Sequence, residues 1–200
     1  MQAKTLVTLI CALMGTTAVA AQGDLLVRGR LVQVAPSVSN TGTLAALNVD
    51  VDKQTVPELD FTYMLSDQLG AELILGTARH KVTANGASLG KVSHLPPTLT
   101  LQYHFAPNAD IRPYAGVGVN YTRFYNADLK AGAADLAVDK NSFGGSLQLG
   151  ADFAINQDWY VNVDVKKIYI KTDVSVAGGA KLGTLKVNPV VWGVGVGTKF

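Results

Sequence analysis

The 200-residue sequence has a single cysteine, Cys11, and it falls within the first twenty residues. The rest of the chain has no thiol with which to form a disulfide. An exported domain of this kind has to be stabilised by a large core or by lipid. Charge is scarce as well. Asp, Glu, Lys and Arg make up 16% of the chain, below the usual quarter. Neither sign dominates: without Lys4, 16 Lys and Arg face 15 Asp and Glu. That balance gives no electrostatic case for a nucleic-acid partner. Long apolar runs are also missing. Past residue 20 no stretch approaches the roughly 20 residues of a membrane helix. No repeat or low-complexity linker appears, and length alone suits one domain.

What is present is apolar. Hydrophobic residues are 48% of the chain. Residues 1–20 read as a cleaved signal peptide: Lys4 gives a positive start, Leu6 to Met14 an apolar stretch, and Ala18-Val19-Ala20 a small-x-small site. Ile10 before Cys11 is too large for a lipoprotein site. An exported protein this apolar, spanning 21–200 without a membrane helix, is either a secreted β-sandwich or a membrane β-barrel.

Period-two alternation recurs between Gly and Pro. It predicts eight strands: 25–34, 57–65, 70–79, 98–105, 111–121, 143–153, 159–169 and 189–200. In the last, one face reads Val190, Trp192, Val194, Val196, Thr198, Phe200 and the other Val191, Gly193, Gly195, Gly197, Lys199. Other strands repeat the contrast, as with Leu59, Phe61, Tyr63 against Glu58, Asp60, Thr62. The pattern fits a sandwich with its apolar face inside, or a barrel with that face toward lipid.

Connection lengths favour the barrel. Residues 66–69, 106–110 and 154–158 are short links, while 35–56, 80–97, 122–142 and 170–188 are long. Short and long links alternate, with both termini on the short side, as in outer-membrane barrels. Aromatics fall into two belts: Tyr63, Phe105, Phe153, Trp159 and Phe200 near one rim, Tyr121, Phe143, Tyr169 and Trp192 near the other. The eight residues from Trp192 to Phe200 cover about 26 Å of strand. Tilted by ~40°, they nearly match the ~25 Å apolar band. The expected fold is therefore all-β: an eight-stranded antiparallel transmembrane β-barrel with long extracellular loops. A short helix within 127–140 is also compatible with the sequence.

The inward set holds Arg28, Arg30, Arg112, Lys166 and Lys199 against Glu58, Asp60, Glu72, Asp152 and Asp164. Five charges of each sign predict a neutral ion-pair plug; a selectivity ring would show an excess of one. Gly116, Gly118, Gly193, Gly195 and Gly197 would make room for long side chains. His80, His94 and His104 lack metal-ligand spacing, and each reads as a satisfied or solvent-facing histidine. Ser146 and His104 both face inward, but nothing brings them together as a nucleophile and base. No enzyme activity and no cofactor is expected. The long links carry Val34, Val38, Leu44, Leu47, Val82, Leu89, Val92 and Leu95. Either they pack on one another as a cap, or they extend the wall and line an apolar pocket.

Specific stretches carry a family resemblance. They are Leu26-Val27-Arg28-Gly29-Arg30, Pro57-Glu58-Leu59-Asp60-Phe61-Thr62-Tyr63 and His94-Leu95-Pro96-Pro97-Thr98-Leu99. Arg112 to Tyr121, Asn162 to Lys167 and Trp192 to Phe200 complete the set. Through them the chain resembles the OmpW family of bacterial outer-membrane proteins. The resemblance implies an apolar channel for small hydrophobic ligands within outer-membrane lipids. It also implies that Phe200 belongs to the signal read by the outer-membrane assembly machinery. On this reading Val34, Leu44, Leu47, Met64, Ile74, Leu95 and Val191 are expected to line the channel. The charged plug would turn cargo sideways into the bilayer. Rival expectations are a plugged interaction barrel and an ion-conducting porin.

Overall fold

The computed structural model describes residues 20–200; the signal-peptide reading lies almost wholly outside them. The chain runs β1 (Leu25–Ala35), β2 (Ser39–Asn40), α1 (Thr43–Ala46), β3 (Asp50–Val51), β4 (Gln54–Met64) and β5 (Leu69–Gly76). It continues with β6 (Ala78–Ala84), β7 (Ala87–Leu95), β8 (Thr98–His104), β9 (Ile111–Ala131) and β10 (Ala134–Val138). It ends with β11 (Asn141–Ala154), β12 (Trp159–Ile168), β13 (Lys171–Val176), β14 (Lys181–Lys186) and β15 (Val190–Lys199). Every predicted strand is present.

Eight of these strands close a ring. The order β11-β12-β15-β1-β4-β5-β8-β9 is completed by the β9–β11 ladder, and each neighbouring pair is antiparallel. The first and last strands meet from Leu26↔Lys199 to Ala35↔Val190. Leu25 and Phe200 exchange backbone hydrogen bonds at the rim of short turns. Closure removes the sheet edges that lipid cannot satisfy.

The faces settle which way the alternation points. Arg28, Asp60 and Glu72 are fully buried, while Leu31 is 61%, Val119 65% and Phe143 75% exposed. A sandwich would hide the leucines and expose the charges; this chain does the reverse, so its apolar face meets lipid.

The long connections are not plain loops. β9 runs on to Ala131, and β6–β7 and β13–β14 form hairpins above the ring. The expected helix within 127–140 is replaced by β9 and β10, whose Leu136 faces the core and pairs with Leu129. β10 pairs with β9 on one side and β13 on the other, so ladder hydrogen bonds win over any helical face. The β6–β7 hairpin turns at Asn85-Gly86, both at positive φ (47° and 82°), the conformation a two-residue hairpin turn requires. Outward-facing Arg79, Lys81, Lys91 and Arg123 mark this extension as lying above the apolar band.

Candidate functional site

Inward side chains change character with height, most plainly on β1 and β12. β1 presents Leu26, then Arg28 and Arg30, then Val32 and Val34; β12 presents Tyr160, Asn162, Asp164, Lys166 and Ile168. The lumen is therefore layered: a charged zone toward the short-turn rim and an apolar zone toward the extracellular end.

The charged zone is a continuous network. Arg28 Nη1 meets Asp60 at 3.0 Å and its Nη2 meets Asp152 at 3.0 Å. Arg30 contacts Glu72 at 2.8 Å, Glu58 at 3.1 Å, Asp164 at 3.2 Å and also Asp60. Lys166 Nζ meets Glu58 at 2.6 Å and Asp164 at 3.0 Å. Tyr114 donates to Asp164 at 2.9 Å, and Gln148 donates to the same carboxylate at 2.8 Å. The long inward side chains need space on the neighbouring strand, where Arg30 pairs with Gly195 and Tyr160 with Gly197. A Cβ at Gly195 would stand 2.7 Å from Arg30 Cγ, and one at Gly197 2.4 Å from the Tyr160 ring. Gly193 faces Val32, while Gly116 and Gly118 face Thr100, Gln148 and Ser146 rather than the cations.

Two of the ten expected plug residues lie toward the short-turn rim of the lumen. Arg112 has its guanidinium 5.1 Å over the Tyr160 ring, and pairs in register with Asp152. Lys199 lies at the rim, 3.5 Å from Asp24, with a quarter of its side chain exposed. It is one residue from the end of the closing strand, too low to reach the plug. The ion pairs named above join three cations to five carboxylates, and Arg112 stands beside Asp152 at their lower edge.

Above the plug lie two stacked apolar chambers. The lower rests on Glu58 and is walled by Val32, Val34, Ile74, Ile168 and Val191. The upper is walled by Leu44, Val82, Val92, Phe124, Leu136 and Val174 among others. His94 and Ile170 belong to both walls. Free volume is about 40 Å³ above and about 30 Å³ below, room for a few waters at ~10–15 Å³ each. Passage of anything larger needs side chains or upper strands to move.

Of the expected lining residues, Val34, Ile74 and Val191 line the lower chamber and Leu44 the upper. Three do not line either. Met64 is fully buried at the opposite end of the lumen, clustered with Leu26 and Tyr160, because it is the last residue of β4 at the short-turn rim. Leu95 is 39% exposed and faces outward, one position out of phase with His94. Leu47 follows α1 and is 37% exposed, while Leu44 points into the core. The sequence reading missed Val32, Ile168 and Ile170. The signal was there in the continued alternation past the last inward charge on β1 and β12.

Two of the three histidines meet, a contact the sequence did not suggest. His80 Nε2 and His94 Nε2 are 3.1 Å apart, and His80 Nδ1 is 2.7 Å from the Asp52 carbonyl. Both rings are buried. Burial in this apolar setting, aided by the neighbouring His80, pushes the His94 imidazole down to about 3. Among the described residues no group of three potential ligands is placed to hold a metal.

The wall beside the lower chamber is broken. The β5–β8 ladder ends at Ile74↔Thr98, and β6–β7 pairing starts at Ala78↔His94. Pro96 and Pro97 lie between; neither has an N–H to give, and both carbonyls accept from Asn120 on the β9 side. An outer groove beside this break shares Glu58, Gly76 and Thr77 with the lower chamber.

Comparison with known proteins agrees with this architecture. The OmpW family model matches residues 21–200. The outer-membrane protein y4mB of Sinorhizobium fredii is 46% identical over 152 residues, covering 72% of this chain but only 66% of its own length. The dibenzothiophene metabolism operon protein PahQ of Pseudomonas aeruginosa is 32% identical over 163 residues, 76% of this chain and 75% of the relative. Among solved structures, the outer-membrane protein OprG of Pseudomonas aeruginosa superposes with a TM-score of 0.81 at 31% identity, covering 93% of this chain and 99% of OprG. A closed barrel with a lipid-facing apolar wall, matched along its whole described length, makes this chain a member of the OmpW family of the bacterial outer membrane.

Proposed function

We propose that the protein is a passive conduit, not an enzyme, that admits small apolar molecules from the cell surface and releases them sideways into the bilayer. The observation that carries this reading is the lower chamber, apolar above, closed beneath by the plug, and sharing Glu58, Gly76 and Thr77 with the broken wall. Cargo that partitions into an apolar cavity is repelled by buried charge below. The side route offers it lipid instead. The name of the PahQ relative, which refers to metabolism of an aromatic sulfur compound, is in keeping with apolar cargo. Phe200, 74% exposed at the end of the seam, is assigned to recognition by the assembly machinery.

Cells that express the protein should take up a lipophilic dye such as Nile red faster than cells that lack it. Gly76→Phe should return uptake to the rate of the lacking strain, because it fills the lower chamber; a Cβ there has no neighbour closer than 3.6 Å. Equal uptake with and without the protein would refute the conduit. A second reading, a plugged barrel whose upper strands bind partners, is favoured by the small free volume of the chambers. It predicts that exchanging the β6–β7 hairpin changes partner binding and leaves uptake unchanged.

A further inference from the structure

The His80–His94 pair sits in an apolar wall and has an odd hydrogen-bond account. Two imidazole nitrogens 3.1 Å apart form one bond, with one donor and one acceptor. His80 Nδ1 lies 2.7 Å from the carbonyl of Asp52. A carbonyl only accepts, so the His80 proton is on Nδ1. In the neutral ring His80 Nε2 is then bare, and His94 donates to it from its own Nε2. A neutral His94 has no second proton, so its Nδ1 is a bare acceptor. That atom is buried and has no partner. It belongs to a ring that both chambers share.

An unmatched acceptor in an apolar cavity is a recognition element, because a bound molecule that supplies a donor relieves the cost of leaving it bare. Other polar groups near the ring are already engaged: Thr77 Oγ1 donates to the His94 carbonyl and also meets the Tyr125 hydroxyl. We infer that His94 Nδ1 is the polar contact for cargo, and that the preferred cargo is a small apolar molecule bearing one hydroxyl, an alcohol or phenol. Bare hydrocarbons would leave the nitrogen unmatched, and ketones or ethers would set acceptor against acceptor. His80 acts as a positioning residue by fixing which nitrogen of His94 is free. This inference rests on the conduit reading, since it names the class of molecule that the chambers select.

The test uses the full chain in lipid nanodiscs, with ¹⁵N-labelled histidine, titrated with 4-ethylphenol and with ethylbenzene and corrected for partition into empty nanodiscs. In the free protein the His94 Nδ1 resonance should be that of an unprotonated nitrogen. 4-Ethylphenol should move it and ethylbenzene should not. The phenol should bind about fivefold more tightly, in the range of one net hydrogen bond, and the advantage should vanish in His94→Phe. A protonated Nδ1 in the free protein, equal affinities, or a preference that survives in His94→Phe would overturn the inference and leave the conduit standing. Binding of neither probe would overturn both. Should His94→Phe fail to assemble, the wild-type resonance and the affinity ratio decide alone.

Discussion

His94 shows how much one side chain's surroundings can change its chemistry. An exposed histidine titrates near 6.5, but here burial first and His80 second hold it neutral down to about 3. The charged and polar groups around it are His80 on β6 and Asp52 beyond His80, with Thr77 and Tyr125 at its backbone. The folded state thus refuses a proton that the unfolded chain accepts below about pH 6.5. Stability from this site is complete above pH 6.5 and falls as pH drops from there toward 3, by up to ~1.4 kcal/mol per pH unit. Backbone amide exchange at Phe124, corrected for intrinsic rates, should show easier opening at pH 4.5 than at pH 7.5. His94→Gln should flatten that dependence; an unchanged slope would show that another group is responsible.

Elements carry the next level of information, and β13 with β14 supplies an unusual case. Lys171 and Lys186 are paired directly across the ladder, both exposed. Like charges so placed repel. Two residues along, Asp173 is held below the usual carboxylate range by hydrogen bonds from Lys181 and Thr184, so it is already engaged. Lys186→Glu should therefore stabilise the hairpin by roughly 0.2–1 kcal/mol, read as a higher urea midpoint in vesicles. At this scale the sequence was most legible. Period-two alternation located all eight wall strands, since each has lipid on one side and packed lumen on the other. It was less legible above the membrane, where both faces of a hairpin can be mixed. There Asn85-Gly86 was the available hairpin signal, and 127–140 was open to a helical reading because Leu129 and Leu136 stand seven residues apart, as on one helix face; they face the core from opposite arms of the β9–β10 hairpin. The candidate site was only half legible. Charges announce a plug by themselves, but Met64, Leu95 and Leu47 show that apolar type does not reveal height or phase. The His80–His94 contact depends on diagonal pairing across a ladder, which no local pattern encodes.

At the scale of the molecule, the plug ties distant strands together. Arg28 on β1 reaches Asp60 on β4 and Asp152 on β11, and packs 5.4 Å over Tyr114 of β9 and 5.6 Å over Tyr160 of β12. Removing such a residue takes a cation from two buried carboxylates, leaving Asp60 to Arg30 and Asp152 to Asn162. Arg28→Leu should cost about 3–5 kcal/mol, measured by unfolding in vesicles, whereas a change of under ~1 kcal/mol would mean that water or other cations compensate.

The seam between β1 and β15 has a further meaning for how the protein is made. Arg28 and Arg30 lie on the first strand of the ring, and the ring is shut by the last. Their counter-ions are spread over β4, β5, β11 and β12. A sheet that has not yet curled round holds those guanidinium groups away from their far partners. Such a sheet is a poor guest in hydrocarbon, where charge at mid-depth costs ~2–4 kcal/mol per residue. Only the finished circle can settle there. Full pairing of the buried charges is therefore a property of the closed ring alone, sealed where Leu25 meets Phe200.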